Sequence, residues 1–343
     1  MRTLLLAEPG RFERTHTREP DAPEPGHATL RIRRVGICGT DLHAFRGRQP
    51  FFEYPRILGH ELGAEIVALG KDVGGLSVGD RVAVEPYLAC DRCQPCRAGT
   101  YNCCESLQVL GVHTDGGMRE LIDLPAHKLH RSQTLELEQL ALVETLGIGA
   151  HAVERGRLIS EEVVLVVGAG PIGLATAQFA AIAGARVHLL ELDDRRREFA
   201  LKHFDIKGVP LPDAKDPTGA LRNHLDGLLP TCVFDCTGSH ASMQASFAYP
   251  ASSGRLVFVG FQPQEIHFEN PEFHRRELSI LASRNSTARE FRRIVELMEA
   301  GDIDTTPWIT HQADYEEVVE KFPDLVETQV GCRQSDVVVV GLS

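Results

Sequence analysis

Short apolar runs separated by glycine and proline dominate the first 150 residues of the chain. ATLRIRRVGI, GAEIVALG and DRVAVEP are three such runs, and each lies next to a turn-forming residue. A run of this length is typical of a short strand closed by a turn. The pattern therefore predicts a β-rich lobe, and the helical apolar spacing of TLELEQLALVETLGIGAHAVER predicts a connection from this lobe to the next region.

From about residue 161 the pattern alternates between strand and helix. VVLVV, GPIGLATAQFAAIAG, RVHLLEL and DDRRREFALKHF follow one another, and CVFDCTG and GRLVFVGF are later strand-like runs. Alternating strands and helices predict a doubly wound parallel sheet. Near the end of the chain, AREFRRIVELMEAG places Phe291, Ile294, Val295 and Met298 on one helical face, and VVVV predicts a final strand.

Composition and charge narrow the functional classes. At 343 residues two domains are expected, and a net charge of -12 argues against nucleic-acid binding. Residues 163–185 carry no charge, but the glycines and proline between 168 and 173 divide them into a strand, a turn and a helix, which argues against a membrane span. Nine cysteines without a secretory signal predict a reducing, cytoplasmic location.

The glycine-rich segment VVGAGPIG predicts a dinucleotide-binding turn. Gly168, Gly170 and Gly173 form the G-x-G-x-x-G pattern between a strand-like and a helix-like run, where backbone N–H groups can approach a pyrophosphate. Glu191 ends the next strand and is placed to bind the ribose hydroxyls, which favours NAD over NADP. The three arginines at 195–197 leave pairing with a 2′-phosphate open. The predicted cofactor-binding residues are Gly168, Gly170, Pro171, Ile172, Gly173, Glu191 and Arg196.

A dense group of cysteines predicts a structural zinc site. Cys90, Cys93, Cys96 and Cys104 have the spacing C-x2-C-x2-C-x7-C. Four thiolates on one loop form a closed tetrahedral site with no position left for a substrate. The adjacent Cys103 leaves the identity of the fourth ligand open.

A second set of metal-ligating residue types is scattered along the lobe. It consists of Cys38, His60, Glu61 and Glu144. Each also has an ordinary interpretation as a buried thiol, a turn histidine or a solvated carboxylate. Spacing alone does not show that these side chains meet. Because adjacent side chains in extended backbone alternate between faces, His60 and Glu61 are not expected to ligate one ion easily together.

Five segments, in order, resemble the zinc-dependent medium-chain dehydrogenases. They are GICGTDLH, ILGHELGAEIVALG, the four-cysteine loop, DGGMREL and VVGAGPIGLA, and the resemblance covers essentially the whole chain. LVETLGIGAHAV and SRNST resemble the bacterial polyol and sugar-acid branch, which includes sorbitol and L-galactonate dehydrogenases. The sequence departs from that branch at Thr145, where proline is usual.

The resemblance implies an α/β fold with a GroES-like catalytic lobe and a Rossmann domain. The implied bounds are residues 1–149 for the lobe, 150–285 for the NAD-binding domain and 286–343 for a return to the lobe. It also implies two zinc ions per subunit, a homo-oligomer (dimer or tetramer), and an active site between the domains. Cys38 and His60 become ligands of the catalytic zinc, whereas Glu61, Glu144 or water completes its shell.

The resemblance also assigns candidate catalytic roles on the segment CGTDLH. Thr40 takes the proton of the substrate alcohol, which passes through the nicotinamide ribose toward His43 and solvent. Asp41 is expected to orient the fold of the lobe. His113 and Arg284 are candidates for the substrate pocket, and Cys332 has no predicted role.

The predicted function is zinc-dependent oxidation of a secondary alcohol, a polyol or sugar acid, to a ketone with hydride transfer to NAD. L-Threonine 3-dehydrogenase and a general alcohol dehydrogenase are the alternatives within this class. A non-catalytic dinucleotide-binding relative is the alternative outside it, and the presence of Cys38, His60, Thr40 and His43 argues against that interpretation.

Overall fold

The computed structural model describes residues 1–49, 52–211, 216–330 and 337–341. The strands are β1 (Arg2–Glu8), β2 (Arg11–His16), β3 (His27–Ile37), β4 (Glu61–Leu69), β5 (Arg81–Val84), β6 (Tyr87–Leu88), β7 (Gln108–Val109), β8 (Leu121–Pro125), β9 (Leu129–Ser132), β10 (Val163–Val167), β11 (Arg186–Leu190), β12 (Lys207–Gly208), β13 (Cys232–Asp235), β14 (Arg255–Phe258), β15 (Ser279–Ala282), β16 (Ile309–Asp314) and β17 (Val337–Gly341). The α-helices are α1 (Gly39–Phe45), α2 (Gln94–Arg97), α3 (Leu137–Ala141), α4 (Val143–Gly156), α5 (Pro171–Ile182), α6 (Asp194–His203), α7 (Gly219–His224), α8 (His240–Ala245), α9 (Asn270–Arg275), α10 (Ala288–Glu299) and α11 (Val318–Val330).

The described residues form two compact units. Of these described residues, the first unit contains those up to Gly147 and those from Ser286 onward, and the second contains Ile148–Asn285. The boundary between Gly147 and Ile148 lies inside α4, so this helix belongs to both units.

The second unit contains the parallel sheet that the alternating pattern predicts. Its strand order is β12-β11-β10-β13-β14-β15, and every neighbouring pair is parallel. The chain enters the sheet at the central strand β10, forms β11 and β12 on one side, and then forms β13, β14 and β15 on the other. Strand order reverses between β10 and β13, and the carboxyl ends of the strands at such a point form a ligand-binding crevice. The predicted doubly wound fold is confirmed.

The uncharged stretch 163–185 folds inside this unit as a strand and a helix. All five residues of β10 are buried. Gly168 then turns the chain with φ = 96°, which is accessible to glycine at little cost. Pro171 occupies the first turn of α5, where its missing N–H has no helical partner to lose. No helix in the described ranges is both long and apolar enough to cross a bilayer.

The first unit is built on a largely antiparallel sheet. Its order is β16-β17-β3-β4-β5-β9, and β8 also pairs with β3. β3 is the longest strand, and buried residues such as Leu30 and Ile32 anchor it in the apolar core. β17 pairs antiparallel with the end of β3, with Val338 opposite Ile37. The last strand of the chain therefore supports the segment that leads into Cys38.

Helix α10 has the apolar face predicted from its sequence. Phe291, Ile294, Val295 and Met298 are all buried. Its start is fixed by Thr287, whose backbone N–H donates to Glu290 Oε2 at 2.8 Å.

Candidate active site and cofactor site

The first candidate ligand lies where a strand turns into a helix. Cys38 follows β3 directly and is the N-cap residue of α1. Its backbone N–H donates to Asp41 Oδ2 at 3.0 Å, which fixes the start of the helix. Thr40 and His43 lie on the same helix, Thr40 half-buried and His43 exposed.

The structure brings three of the four scattered residues together. One ligand atom from each of Cys38, His60 and Glu61 lies within 4.8 Å of the other two. Asp41 Oδ1 is 3.7 Å from His60 Nδ1, and both side chains are buried. A carboxylate beside one ring nitrogen of a histidine orients the ring and its other nitrogen, as in many metal sites.

His60 and Glu61 do not follow the simple alternation of extended backbone. Gly59, which precedes them, has φ = 96°, so the chain enters β4 through a turn. Glu61 is opposite Gly36 in the strand register. A Cβ atom at Gly36 would lie 2.1 Å from Glu61 Oε2, so the Glu61 side chain crosses the Gly36 backbone. The bare glycine and the turn explain how neighbouring side chains reach one point.

Burial and acidic neighbours shift the pKa values at this site. Burial, and then the Glu144 carboxylate, raise the pKa of Glu61 to about 7. Burial, and then Glu61, raise the pKa of the Cys38 thiol. Burial opposes the charged form of His60, but Asp41 and then Cys38 outweigh it and raise the pKa of His60 well above its ordinary value.

Glu144 is held by a residue that the sequence did not suggest. It lies in the first turn of α4, is buried, and accepts a hydrogen bond at Oε1 from the hydroxyl of Tyr87. Glu144 is outside the group formed by Cys38, His60 and Glu61. Its charge nevertheless raises the pKa values of His60 and Glu61. No motif in the sequence connects Tyr87 with Glu144, since 57 positions separate them.

The donor set fits a zinc ion. A thiol, an imidazole and a carboxylate are the ligand types that zinc prefers, and three protein ligands leave a fourth position open. Buried Asp41 Oδ1 and His60 Nδ1 lack a hydrogen-bond partner among the described residues. A bound cation would compensate the buried carboxylates around them.

The four-cysteine loop has the geometry of a closed metal site. Ligand atoms of Cys90, Cys93, Cys96 and Cys104 lie within 4.8 Å of one another. Cys93 Sγ is 3.3 Å from Cys96 Sγ and 3.8 Å from Cys104 Sγ. Zinc–sulfur bonds of about 2.3 Å in a tetrahedron require sulfur–sulfur distances of roughly 3.8 Å. Cys103 is exposed and outside this group.

Backbone N–H groups point at the sulfur atoms of this loop. The Cys90 N–H donates to Cys104 Sγ at 3.2 Å. The backbone N–H groups of Arg92 and Cys93 lower the pKa of Cys90 to about 6, whereas burial raises the pKa of Cys96 to about 12. The loop therefore stabilises thiolate at its more open end, as a metal site requires.

The glycine-rich turn and Glu191 meet at the carboxyl ends of β10 and β11. A Cβ atom at Gly173 would lie 1.9 Å from the Gly168 carbonyl oxygen, so the helix packs closely on the turn. Glu191 is buried and accepts hydrogen bonds from the N–H of Ala169 at 2.6 Å and of Asp193 at 2.8 Å. This places a carboxylate beside the turn at the position where a ribose hydroxyl is bound in dinucleotide-binding folds.

Of the three arginines that follow, two are engaged with neighbouring aspartates. Arg195 contacts Asp193 at 3.4 Å, and Arg197 pairs with Asp194 at 2.5 Å. Arg196 Nε is buried without a hydrogen-bond partner among the described residues.

The two substrate-pocket candidates lie in different units. His113 is half-buried, and its Nδ1 accepts the Val109 N–H at 3.1 Å, which ties it to its own loop. Arg284 is exposed and follows β15. Cys332 lies outside the described residues.

Comparisons with known proteins identify the family of the chain. The family profile for the alcohol dehydrogenase GroES-like domain matches residues 24–134, and the profile for zinc-binding dehydrogenases matches residues 171–300. The chain is 40% identical to L-galactonate-5-dehydrogenase of Escherichia coli K12, with 89% of each chain covered. It is 32% identical to 2-dehydro-3-deoxy-L-galactonate 5-dehydrogenase of Pseudoalteromonas atlantica, with 89% of each covered.

A solved structure gives the same result for the fold. An alcohol dehydrogenase of Escherichia coli CFT073 in complex with NADH superimposes with a TM-score of 0.89 and 28% identity, covering 100% of this chain and 99% of that one. The predicted family, fold class and enzymatic class are confirmed. The chain belongs to the zinc-binding dehydrogenases with a GroES-like domain, and it is an oxidoreductase.

Proposed function

We propose that this enzyme oxidises a secondary alcohol group of a polyol or sugar acid to a ketone and transfers the hydride to NAD. The observation that carries the proposal is the meeting of half-buried Cys38 with buried His60 and Glu61 in one group within the GroES-like unit. The relatives named above are dehydrogenases that act on galactonate derivatives, which supports the substrate class.

Cys38 and His60 are the proposed ligands of the catalytic zinc, with Glu61 as the third protein ligand. Zinc at this position supplies a Lewis acid that lowers the pKa of the substrate hydroxyl. Asp41, whose Oδ1 lies 3.7 Å from His60 Nδ1, is the proposed group that orients the imidazole. Glu144, held by Tyr87, is the proposed alternative ligand, or it acts through a water molecule.

Thr40 and His43 are the proposed path for the proton. The Thr40 hydroxyl would accept the proton of the substrate alcohol while giving up its own, and exposed His43 would accept that proton and release it to solvent. Desolvation, and then Arg46 and Arg48, lower the pKa of His43. The imidazole is therefore neutral near pH 7 and able to accept a proton.

The glycine-rich turn, Pro171, Ile172 and Glu191 are the proposed binding site for NAD. When bound, the nicotinamide accepts the hydride. The buried Glu191 carboxylate favours ribose hydroxyls and repels a 2′-phosphate, whereas Arg196 is the group available to an NADP phosphate.

Four further assignments belong to the proposal. Cys90, Cys93, Cys96 and Cys104 hold a second, structural zinc. His113 and Arg284 contact the substrate. The enzyme is a homo-oligomer, a dimer or tetramer, which the exposed edge strand β15 supports. Its compartment is the cytoplasm, which its free thiols support.

Initial rates with NAD and with NADP, measured on the zinc-loaded enzyme across polyols, aldonates and L-threonine, test the reaction and its cofactor. We expect turnover of a polyol or aldonate with a preference for NAD. In Glu191→Gln the preference should shift toward NADP by roughly tenfold or more, since one charged hydrogen bond contributes about 1.5–3 kcal/mol. Faster turnover of L-threonine than of every polyol and aldonate would contradict the substrate class.

The Cys38→Ser variant tests the assignment of the two metal sites. We expect it to lose activity and one zinc while the cysteine-loop zinc remains. The Cys232→Ser variant is the matched control, because Cys232 is a buried thiol of the second unit. Equal loss of activity in both variants would show that Cys38 has no special role.

A further inference from the structure

The second unit has a cleft at the amino ends of its parallel strands, whereas the glycine-rich turn lies at their carboxyl ends. The cleft has a volume of about 890 Å³ and is lined by Val163 and Arg186, the first residues of β10 and β11. The turn and Glu191 follow the last residues of the same strands. Because β10 has five residues at about 3.3 Å each, the two ends of the strand are roughly 16 Å apart. The cleft is therefore separate from the proposed cofactor site.

Four arginines line this cleft, and we call them the arginine cluster: Arg186, Arg222, Arg275 and Arg276. Arg186 Nε donates to the Glu161 carbonyl oxygen at 3.1 Å. Arg222 Nη1 donates to the Gly227 carbonyl at 3.2 Å. A carbonyl oxygen satisfies a donor without neutralising the cation, so the positive charge remains.

Arg276 lies near two other cations of the cluster, Arg275 and Arg222. Its guanidinium donates to the carbonyl oxygens of Phe247, at 3.1 Å, and Ala248, at 3.3 Å. Burial, and also the charges of Arg275 and Arg222, lower the pKa of Arg276, and Glu272 acts against this shift. The cations of the cluster therefore repel one another.

The acidic residues that line the cleft leave an excess of positive charge. Glu162 is paired with Arg255, whose Nη1 donates to Oε1 at 2.6 Å and whose Nη2 donates to Oε2 at 2.8 Å. Glu272 pairs with Arg275 at 2.8 Å. Glu161 is exposed, and the remaining cations of the lining, Arg186, Arg222 and Arg276, form no ion pair in the described part of the chain. This local charge contrasts with the net charge of -12 of the whole chain.

Apolar side chains lie beside the cations. Leu228, Leu229, Ala248 and Ala251 line the same cleft, and Leu228 is 54% exposed. A cleft lined by both apolar side chains and cations suits an organic anion better than a fully hydrated inorganic one. Guanidinium groups match the geometry of phosphate and carboxylate oxygens.

We propose that this cleft binds a small organic molecule with at least two negative charges, carried by a phosphate ester or by several carboxylates. The arginine cluster recognises the charged groups, and the apolar side chains contact the carbon skeleton. The proposal does not depend on which alcohol the enzyme oxidises.

Isothermal titration calorimetry on the zinc-loaded enzyme tests this site, with saturating NAD present so that the cofactor site is occupied. Glycerol 3-phosphate, citrate and inorganic phosphate are the probes, at constant ionic strength. We expect glycerol 3-phosphate or citrate to bind, with inorganic phosphate at least tenfold weaker. Binding of only one organic anion identifies the charged group that the cluster prefers.

The variant Arg186→Gln/Arg222→Gln should weaken this binding at least tenfold. Both side chains are exposed and each has one hydrogen bond to a carbonyl, so the fold should tolerate the change. Arg292→Gln/Arg293→Gln on α10 is the control with the same loss of charge and should bind normally. Equal weakening in both variants, or no binding of either organic probe, overturns the proposal.

A protein partner at this cleft is the competing explanation. Sedimentation velocity of the same variants distinguishes it. A change of oligomeric state in Arg186→Gln/Arg222→Gln, with no binding of any probe to the parent enzyme, would assign the cleft to a subunit contact and overturn the proposal.

Discussion

Asp41 and Tyr87 each control the position of one candidate metal ligand. Asp41 caps α1 through Oδ2, and its Oδ1 lies 3.7 Å from His60 Nδ1, so one buried carboxylate fixes the helix start and borders the imidazole. Tyr87 donates its hydroxyl to Glu144. Residues that orient ligands in this way are often nearly as important for metal affinity as the ligands.

Replacing Tyr87 with phenylalanine removes the donor and keeps the ring. We expect kcat/KM to fall by about 10- to 100-fold, because the Glu144 carboxylate loses its orientation and one hydrogen bond that favours its charged form. Initial rates and the rate of zinc loss to a chelator measure the effect.

Tyr101→Phe is the matched control, since Tyr101 is 45% exposed and lies in the cysteine loop. It should retain the activity of the parent enzyme. Tyr87 would have no positioning role if Tyr87→Phe retained both its zinc and its kcat/KM.

At the scale of single elements, the conformation of the cysteine loop depends more on its four clustered cysteines than on its secondary structure. α2 has four residues, and the 3-10 turn Tyr101–Cys103 has three. Helices this short are not stable by themselves. The loop therefore depends on the sulfur cluster for its conformation.

Cys104→Ser should remove one zinc per chain and lower the melting temperature, whereas Cys103→Ser should change neither. Cys104 is buried with its sulfur among the other three, and Cys103 is exposed. Zinc analysis by atomic emission and thermal unfolding measure both properties. Zinc loss in the Cys103→Ser variant would reverse the assignment of the fourth ligand.

Strand β11 contains a histidine that is buried in its neutral form. Burial, and then His224, lower the pKa of His188 from 6.5 to about 4. Its Nδ1 has no hydrogen-bond partner within the described residues. Between these two pKa values the unfolded chain binds a proton that the folded protein does not. The free energy of unfolding should therefore fall as the pH drops from about 6.5 toward 4.

His188→Leu should reduce the loss of stability between pH 7 and pH 4.5 by roughly 2 kcal/mol, since one pKa unit corresponds to about 1.4 kcal/mol and part of the shift lies below pH 4.5. Denaturant unfolding at pH 7 and pH 4.5 gives the difference. Exposed His267→Gln is the control and should keep the pH dependence of the parent. The same pH dependence in His188→Leu and the parent would contradict the explanation.

For the whole molecule, periodicity and spacing predicted more of the fold than of the active site. The strands β3, β4, β5, β10, β11, β13 and β14 and the buried face of α10 follow from local patterns. The two-residue strands β6, β7 and β12 were not predicted, since two residues are too few to show a period. Convergence of Cys38, His60 and Glu61 depends on strand register and on the missing side chain of Gly36, which a single sequence does not encode locally.

The exposed edge of the parallel sheet is the place where a subunit contact is expected. β15 has β14 as its neighbour in the described sheet, and Ile280 is 36% exposed on it. We expect Ile280→Arg to shift the enzyme toward monomer in sedimentation velocity, because a charge would be buried at the contact. Val78→Arg, at a position 62% exposed in the other unit, should leave the assembly intact. An unchanged sedimentation coefficient in Ile280→Arg would place the contact elsewhere.

The pairing of β17 with β3 has a consequence for synthesis on the ribosome. Ile37 leaves the exit tunnel about 300 residues before its partner Val338. At a translation rate of roughly 5–20 residues per second, β17 is synthesised about 15–60 s after the end of β3 with which it pairs. During that interval the strand that leads into Cys38 has an open edge. A messenger RNA truncated near its 3′ end would therefore yield a chain with a complete second unit and an incomplete first unit.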